Sequence, residues 1–470
     1  MVASDFLDRS HSIAGPGFNR WLVPPAALCI HLAIGQAYAF SVFTKPMAQL
    51  IGVTDPAPGD WTVAQLGWIF SLAIVFLGLS AAFGGKWVEA VGPRKAMFVS
   101  ALCFSGGLLI AGGGVALHSL ALVYFGYGVI GGIGLGIGYI SPVSTLIKWF
   151  PDRPGLATGT AIMGFGGGAL IGAPLAVALM KGYAGHTAAG TPASTGVAPT
   201  MLTMGIIYLC FMLVGAFIVR IAPSNYRPAG YVPPTTARKM VTTQNVLVNN
   251  AVRTPQFWLL WGVLFLNVTA GIGVLGQASL MIQEMFPARF PHADAIQTAK
   301  SAAAAAGFVG LLSLFNMGGR IVWASASDFI GRRPTYMIFF ALGAAIYALI
   351  PTLGHSGNLV LFVLAYGVIL SMYGGGFATI PAYLRDLFGT LNVGAIHGRL
   401  LTAWSAAGVA GPVLVNYIRQ YQIDRGVAKA DAYSTTMYIM AGLLIVGFIC
   451  NFMVKSLEDR HYTENAPVAA

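Results

Sequence analysis

Long apolar segments alternate with short polar ones along almost the whole chain. From Trp21 to Val454, one apolar segment after another reaches the length of about 20 residues that a helix needs to cross a bilayer core. We count twelve and number them spans 1 to 12; they cover residues 20–43, 63–84, 94–116, 119–147, 156–181, 199–221, 257–283, 301–326, 334–353, 358–383, 399–418 and 435–455. Because lipid supplies no hydrogen-bond partners for the backbone, the pattern predicts an all-α membrane protein with twelve transmembrane helices.

The spans fall into two sets of six, separated by a polar segment that is too rich in proline to form one helix. Local features repeat on either side of this segment: Glu89-x-x-Gly92-x-Arg94 returns as Asp328-x-x-Gly331-x-Arg333, and Gly172-Ala-Pro174 returns as Ala410-Gly411-Pro412. The two repeats have offsets of 239 and 238 residues. A nearly constant offset predicts two pseudo-symmetric six-helix bundles, with a substrate site near the midplane between them.

Composition excludes a soluble protein. The 470-residue chain is 56% hydrophobic and 9% charged, with a mean hydropathy of +0.73. If the N-terminus is cytoplasmic, 18 of the 26 basic residues are cytoplasmic: Arg9, Arg20, Lys86, Arg94, Lys95, Lys148, Arg153, Arg220, Arg227, Arg238, Lys239, Arg253, Arg332, Arg333, Arg385, Arg399, Lys455 and Arg460. Those left outside are Lys45, Lys181, Arg289, Lys300, Arg419, Arg425 and Lys429. The net charge of +11 therefore indicates membrane topology and not nucleic-acid binding.

The positive-inside rule predicts that both termini are cytoplasmic. The predicted regions are a cytoplasmic N-terminal tail (1–19), a first bundle (20–221), a cytoplasmic linker (222–256), a second bundle (257–455) and a cytoplasmic C-terminal tail (456–470). We expect no cleavable signal sequence, because the first residues are polar and carry Asp5, Asp8 and Arg9. The four cysteines lie in apolar spans without metal-type spacing, so no metal and no cofactor are expected.

The repeated turn elements after spans 2 and 8 suggest a gate. Gly92 and Gly331 permit a sharp reversal between helices. The acid of each element, Glu89 or Asp328, lies near the end of one helix, while the arginine, Arg94 or Arg333, begins the next. Each acid and arginine can form a latch that separates when the cytoplasmic side opens, or a static clamp of the loop.

A glycine-rich segment in span 4, Gly126-Tyr-Gly128-Val-Ile-Gly131, formally matches a dinucleotide-binding pattern. That pattern binds a nucleotide only between a strand and a helix, whereas this segment lies inside an apolar helix. We interpret these glycines, and those of span 5, as surfaces on which helices approach closely.

Arg320 in span 8 is the cation that the topology leaves inside the membrane. An arginine at the centre of a span costs about 2.5 to 3.5 kcal/mol on insertion scales, and the nearest acid along the helix, Asp328, belongs to the turn. We expect a mobile anion to neutralise it, with Asn316, one turn earlier on the same face, donating a further hydrogen bond. The alternative is that backbone carbonyls or water hold the guanidinium.

Arg320 is a single cation deep inside the predicted spans, and no second one accompanies it. A monocarboxylate is therefore favoured over a dianion, because a dianion would keep one negative charge unbalanced inside the membrane. Aromatic residues from several spans are candidates to line the cavity: Tyr38, Tyr139, Phe165, Tyr373, Phe377 and Trp404. His31 in span 1 is the candidate for proton coupling, although a buried neutral histidine is the alternative.

Three segments resemble the major facilitator superfamily, and within it the oxalate:formate antiporter and bacterial monocarboxylate transporter group. They are Trp149-Phe-Pro-Asp152-Arg-Pro-Gly155-Leu-Ala-Thr-Gly159, Arg253-Thr-Pro-Gln-Phe-Trp258, and Gly319-Arg320 followed by Asp328-Phe-Ile-Gly-Arg-Arg333. The resemblance implies alternating access by two rocking bundles and a span 8 arginine, matched by Arg320, that grips a carboxylate. It also implies aromatic cavity positions at Tyr38, Tyr139 and Tyr373.

The sequence departs from these relatives at specific positions. Phe165 and Phe377 replace tyrosines of the oxalate carrier, and Trp404 stands where that carrier has a second cation. Asn316 and Val42 stand where animal-type carriers have an acid and a lysine, so their proton relay does not transfer.

We therefore predict a monomeric secondary transporter in the cell inner membrane that carries lactate, pyruvate or formate by proton symport or anion exchange. An oxalate:formate-type dicarboxylate antiporter and a membrane carboxylate sensor without flux are the alternatives. A cation or drug exporter is disfavoured because no acid lies in mid-span. An enzyme is disfavoured because no nucleophile and base occur at recognisable spacing.

Overall fold

The computed structural model describes residues 6–462, apart from 54, 189–191, 225, 232–239, 243, 276, 290 and 292–294. Within these residues twelve helices are long and apolar enough to cross a membrane, which confirms the predicted fold class. The spans are Arg20–Ala39, Val63–Val91, Pro93–Ala116, Leu120–Trp149, Pro154–Ala184, Val197–Ile218, Pro255–Gly273, Gly307–Ile330, Arg332–His355, Leu359–Phe388, Val393–Asp424 and Ser434–Met453. We call spans 1–6 the N half and spans 7–12 the C half.

Some predicted features lie outside the described residues. They are Arg238 and Lys239 of the predicted linker, residues 1–5 and 463–470 of the two predicted tails, and the side chain of Lys300.

Several helix boundaries differ from the predicted ones. Span 2 continues to Val91 and span 8 to Ile330, so the acids of both turn elements lie in the last helical turn. The helix that contains span 7 ends at Leu275, before the predicted residue 283, and a separate helix, Ala278–Met285, follows. Span 11 begins at Val393, earlier than the predicted 399. Polar helix ends extend beyond the apolar core of a span, so hydropathy alone places these ends too early or too late.

The sharp turns predicted after spans 2 and 8 are confirmed. Gly92 alone separates spans 2 and 3 and has φ 82°, while Gly331 alone separates spans 8 and 9 and has φ 91°. A side chain at either position would be strained in this left-handed region. We call the end of the molecule where these two turns lie the gate side.

Close helix pairs connect the two halves. Span 5 packs against span 8, and span 2 packs against span 11. Glycines lie at both contacts: a Cβ added to Gly159 would lie 2.6 Å from the carbonyl oxygen of Arg320, and one added to Gly85 would lie 2.7 Å from the Cα of Ala395. The two contacts correspond to each other under the internal repeat, as expected for two bundles that meet along equivalent faces.

The glycine-rich segment of span 4 is helical throughout. It comprises a π-helix, Tyr124–Gly131, followed by the α-helix Gly132–Trp149. A Cβ added to Gly126 would lie 2.8 Å from the carbonyl oxygen of Gly107 in span 3. These glycines therefore serve helix packing, as the sequence context predicted.

Adjacent glycines in span 3 give a direct test of this packing. A Cβ on Gly107 would lie 2.6 Å from both the Gly126 carbonyl oxygen and the Gly131 nitrogen, whereas a Cβ on Gly106 would contact nothing within 4 Å. We expect Gly107→Ala to destabilise the protein by about 1 to 3 kcal/mol through overpacking. Gly106→Ala should leave the melting temperature in detergent unchanged or slightly higher. Equal melting temperatures for the two variants would contradict this account.

Candidate substrate site

Arg320 lies fully buried at the contact between the two halves. Its Nε donates to Asn316 Oδ1 at 3.1 Å, and its Nη1 donates to the backbone carbonyl of Ile162 in span 5 at 3.0 Å. Its Nη2 has no hydrogen-bond partner, and none of the ion pairs among the described residues includes Arg320. The guanidinium thus connects both halves and keeps one edge free for an anion.

The six predicted aromatic residues come together around this guanidinium. Its carbon lies 5.9 Å from the Phe165 ring centroid and 5.4 Å from that of Phe377. Trp404 packs against Phe377 at 4.6 Å and against Phe165 at 5.2 Å between ring centroids. We call Tyr38, Tyr139, Phe165, Tyr373, Phe377 and Trp404 the aromatic enclosure.

The tyrosines complete the aromatic enclosure from both halves. Tyr139 lies 5.4 Å from Phe165 and 5.2 Å from Trp404 between ring centroids. The hydroxyl groups of Tyr38 in span 1 and Tyr373 in span 10 lie 3.2 Å apart. The enclosure therefore combines spans 1, 4 and 5 with spans 10 and 11, and its shape depends on how the two halves sit against each other.

Several hydrogen-bond donors of the aromatic enclosure and Arg320 have no partner among the described residues. Arg320 Nη2, the Tyr139 hydroxyl and Trp404 Nε1 are all buried and have no hydrogen-bond partner in the part of the chain that the structure describes. A buried donor without a partner costs about 1 to 3 kcal/mol, so such groups are usually satisfied. Three donors and a positive charge in one enclosure make a site that suits the oxygens of an anion.

A cleft opens at the end of the molecule opposite the gate side and reaches Tyr38 of the aromatic enclosure. Its wall combines hydroxyl and apolar residues from both halves, including Ser41, Thr44, Phe70 and Ser313. None of the described residues that line it is an aspartate, glutamate, lysine or arginine. The cleft also contacts Tyr38, Asn316 and Gly166, and a Cβ on Gly166 would lie 2.9 Å from Arg320 Nε. The cleft thus ends beside Asn316 and Gly166, the residues next to the buried Arg320 side chain.

The gate side is closed by two acids, each of which binds the opposite half. Asp328 of the C half accepts from the backbone N–H groups of Gly155 and Leu156 at 2.8 and 3.0 Å, at the start of span 5. Glu89 of the N half accepts from the backbone N–H of Gly394 at 3.0 Å, at the start of span 11. Both acids therefore cap a helix N-terminus, where unpaired N–H groups and the helix dipole favour a negative charge.

These two caps obey the internal repeat. Gly394 lies 238 positions after Leu156, as Pro412 does after Pro174. The closure of the gate side is therefore pseudo-symmetric.

The predicted pairing of acid and arginine within each turn element is wrong. Glu89 pairs with Lys148, and Arg94 donates to the carbonyl oxygens of Phe6 and His11 at 2.9 and 3.2 Å. The cause is geometric, because the acid points across to the other half while the arginine points to the N-terminal segment.

The second turn element differs in the same way. Asp328 pairs with Arg332 at 2.6 Å, and Arg333 donates to the carbonyl oxygen of Phe452 instead. Arg332 also pairs with Asp386 in span 10 at 3.1 Å.

His31 is buried between spans 1, 4 and 5. Its Nδ1 lies 2.5 Å from the carbonyl oxygen of Ala161, and its Nε2 lies 3.2 Å from that of Tyr139. Its ring stacks on the Tyr139 ring at 5.4 Å. The structure thus places His31 beside the aromatic enclosure, and its role in proton coupling stays a prediction.

Two features of this site escaped the sequence. His397, whose ring lies 5.9 Å from that of Tyr139, is not among the predicted site residues, because the predicted span 11 begins two residues after it. The alternation of apolar and polar residues continues before residue 399, and extending the predicted helix along it would have included His397. The backbone carbonyl of Ile162 has no sequence signal at all.

Comparisons with known proteins agree with this architecture. Residues 26–412 match the family model of the Major Facilitator Superfamily. The chain is 28% identical over 400 residues to the oxalate:formate antiporter of Oxalobacter formigenes, and the alignment covers 84% of this chain and 83% of that protein. It is 22% identical over 448 residues to human monocarboxylate transporter 11, and the alignment covers 92% of this chain and 82% of that protein.

A solved structure shows the same fold. The E. coli fucose:proton symporter FucP superposes with a TM-score of 0.64 at 12% identity, over 93% of this chain and 98% of that one. Since the family match spans most of the chain and the twelve helices agree with it, the chain belongs to the Major Facilitator Superfamily, whose members are transporters and not enzymes.

Proposed function

We propose that this transporter carries small monocarboxylates, of the size of lactate, pyruvate or formate, by alternating access. The observation that carries the proposal is the buried Arg320 guanidinium, which has a free Nη2 and no carboxylate partner among the described residues. A substrate carboxylate would supply the missing negative charge and accept from this nitrogen.

The number of charges favours a monoanion. Arg320 is the only arginine or lysine at the aromatic enclosure within the described part of the chain, and an uncharged residue, Trp404, packs against Phe165 and Phe377 beside it. A dicarboxylate would keep one uncompensated charge in a site of low dielectric. Oxalate exchange, which the name of the Oxalobacter relative describes for that protein, is the alternative.

The remaining donors suit the rest of a small acid. The Tyr139 hydroxyl and Trp404 Nε1 lack partners, so a second carboxylate oxygen or a 2-hydroxy or 2-oxo group can accept from them. The aromatic rings around them exclude water, which strengthens each of these interactions. Binding thus cancels the charge of Arg320 and leaves a neutral interface across which the two halves can rock.

Alternating access fits the two ends of the molecule. The cleft is open on one side, and the caps by Glu89 and Asp328 hold the gate side closed. We propose that the gate side is cytoplasmic in a cell inner membrane, that both termini lie there, and that the protein works as a monomer. The excess of basic residues on that side supports this orientation.

Uptake by purified protein in liposomes tests the substrate class. We expect saturable uptake of labelled lactate, pyruvate or formate above that of protein-free liposomes, and no such uptake of oxalate or succinate. Stimulation by an inside-alkaline pH gradient would indicate proton symport, whereas stimulation by a preloaded acid would indicate exchange. Saturable oxalate uptake as fast as that of the monocarboxylates would contradict the assignment.

A further inference from the structure

A buried histidine beside the aromatic enclosure has no role in the proposed binding of the substrate. His397 lies in the first helix of span 11, Val393–Leu400, one turn after Gly394, whose N–H is bound by Glu89. The side chain is 1% exposed. It therefore lies just inside the contact that closes the gate side.

The ring of His397 lacks hydrogen bonds. Neither Nδ1 nor Nε2 has a partner among the described residues. A neutral imidazole carries one N–H donor and one acceptor, and burying both unpaired costs free energy that a leucine of similar size would not cost. A polar group kept in such a position calls for a functional reason.

The neighbours of His397 connect it to the aromatic enclosure. Its ring centroid lies 5.9 Å from that of Tyr139, whose hydroxyl also lacks a partner. Tyr139 in turn stacks on His31 at 5.4 Å. The three rings form a continuous column from span 11 of the C half to span 1 of the N half.

Among the described residues, the acids on the helices packed against His397 are all engaged by other groups, so none is free to balance a proton on it. From span 2, Glu89 is engaged by Lys148 of span 4 and by the Gly394 N–H. From span 10, Asp386 is held by Arg332 and Arg385.

The other packed elements supply no counter-charge either. Also from span 10, the Tyr383 hydroxyl faces Asn451. Span 7 and the helix Val248–Ala251 carry no titratable residue, and Arg399 of the same helix donates to the Val248 carbonyl. An imidazolium enclosed here would be a buried, unpaired charge, so the closed gate holds the neutral ring.

Opening the gate side would change this environment. A small pocket already opens beside the contact and is lined by Glu89, Ser141, Ser144 and Lys148, among others. Ser144 lies directly against Gly394: a Cβ added to Gly394 would lie 2.8 Å from the Cβ of Ser144. Separation of span 11 from spans 2 and 4 would therefore admit water to His397, where an ordinary imidazole is readily protonated.

We propose that His397 is a proton-binding site that is occupied while the gate side is open and must be empty before that side closes. The proposal rests on the alternating access described above and not on the identity of the substrate. Since only the open state takes up this proton, acid conditions stabilise the open gate.

The effect has a calculable size. If the ring titrates like an ordinary imidazole with a pKa of about 6.5 in the open state only, lowering the pH from about 8 to about 5.5 raises the ratio of open to closed gates about tenfold.

A distance measurement across the gate side tests this proposal without any substrate. Ala90 and Phe329 are exposed at the gate-side ends of spans 2 and 8 and accept paired spin labels through cysteine substitution. The four native cysteines are replaced by alanine in this background. We expect the long-distance population to grow about tenfold relative to the short one on acidification.

Variants at two histidines separate the proposed site from general effects of pH. His397→Gln should abolish the response. His355→Gln should retain it, because His355 is exposed and paired with Asp431. If His397→Gln does not give monodisperse protein, His397→Met, which fills the same space without a titrating group, takes its place.

Several outcomes would overturn the proposal. They are a parent protein without a pH response, a response that persists without His397, and one that disappears equally with His355→Gln. Failure of monocarboxylate uptake would overturn the proposed substrate and leave this measurement intact.

Discussion

Arg320→Gln is expected to reduce uptake of the transported acid to the level of protein-free liposomes. Removing one member of a buried, hydrogen-bonded charge pair costs about 2 to 5 kcal/mol, which corresponds to roughly 30-fold to several-thousand-fold weaker binding. At substrate concentrations below saturation, uptake should fall by the same factor.

The same variant should fold at least as well as the parent. The isolated guanidinium costs about 2.5 to 3.5 kcal/mol in a span, and glutamine relieves that cost. A melting temperature that is retained or raised, together with lost uptake, would show that Arg320 serves the substrate and not the stability of the helix bundle.

Arg320→Lys keeps the charge and tests the geometry. The arginine donates to Asn316 and to the Ile162 carbonyl and still has a free Nη2. A lysine ammonium is a compact donor that cannot hold both contacts and a carboxylate in one plane. We expect uptake at least about tenfold below that of the parent, since one good charge-assisted contact is worth about 1.5 kcal/mol or more.

Arg460→Gln is the matched control for both variants. Arg460 is exposed and pairs with Glu458 outside the spans, so its loss should not change uptake. Arg320→Lys with the uptake of the parent for every acid tested would defeat the assignment of the substrate site.

Neutralising the two gate acids together is expected to shift the molecule toward an open gate side. Glutamine at position 89 and asparagine at position 328 keep the size of the side chains and remove the charge that faces a helix N-terminus. A neutral hydrogen bond contributes about 1 kcal/mol less than a charge-assisted one, so the loss of about 2 kcal/mol over the two caps should favour opening by roughly 30-fold.

The two acids should not contribute equally. Asp328 accepts from two backbone N–H groups, whereas Glu89 accepts from one. We therefore expect Asp328→Asn to shift the equilibrium further than Glu89→Gln does.

The label pair at Ala90 and Phe329 measures this equilibrium without substrate. Glu458→Gln, which removes an exposed acid, serves as the control and should leave the distances unchanged. A double variant with the distance distribution of the parent would show that the two caps do not hold the gate side closed. Reduced uptake alone would not decide the matter, because an enclosure that never forms also stops transport.

Some parts of this structure follow from local chemistry. Lipid requires long apolar helices, so twelve spans could be counted from hydropathy, and a single residue turn requires a glycine, as Gly92 and Gly331 show. Arg320 stood out for the same reason, since a cation in a span is costly wherever the helix packs.

The partners of these residues required the tertiary structure. Helical periodicity gives the face on which Glu89 lies, yet it does not say that this face meets the Gly394 N–H more than 300 residues later. The turn elements suggested Arg94 and Arg333 as partners because they are near in sequence, whereas Glu89 pairs with the distant Lys148 and Asp328 with the neighbouring Arg332.

The sequence by itself determined the fold class, the internal repeat and the cation that marks the candidate site. Only the tertiary structure decided that Arg320 contacts the Ile162 carbonyl, that three buried donors of the enclosure lack partners among the described residues, and that His397 is enclosed. The physical reason is that hydropathy and helix propensity act within one helix, whereas glycine-lined faces permit many packings. The choice among these packings is made by contacts between helices far apart in the chain.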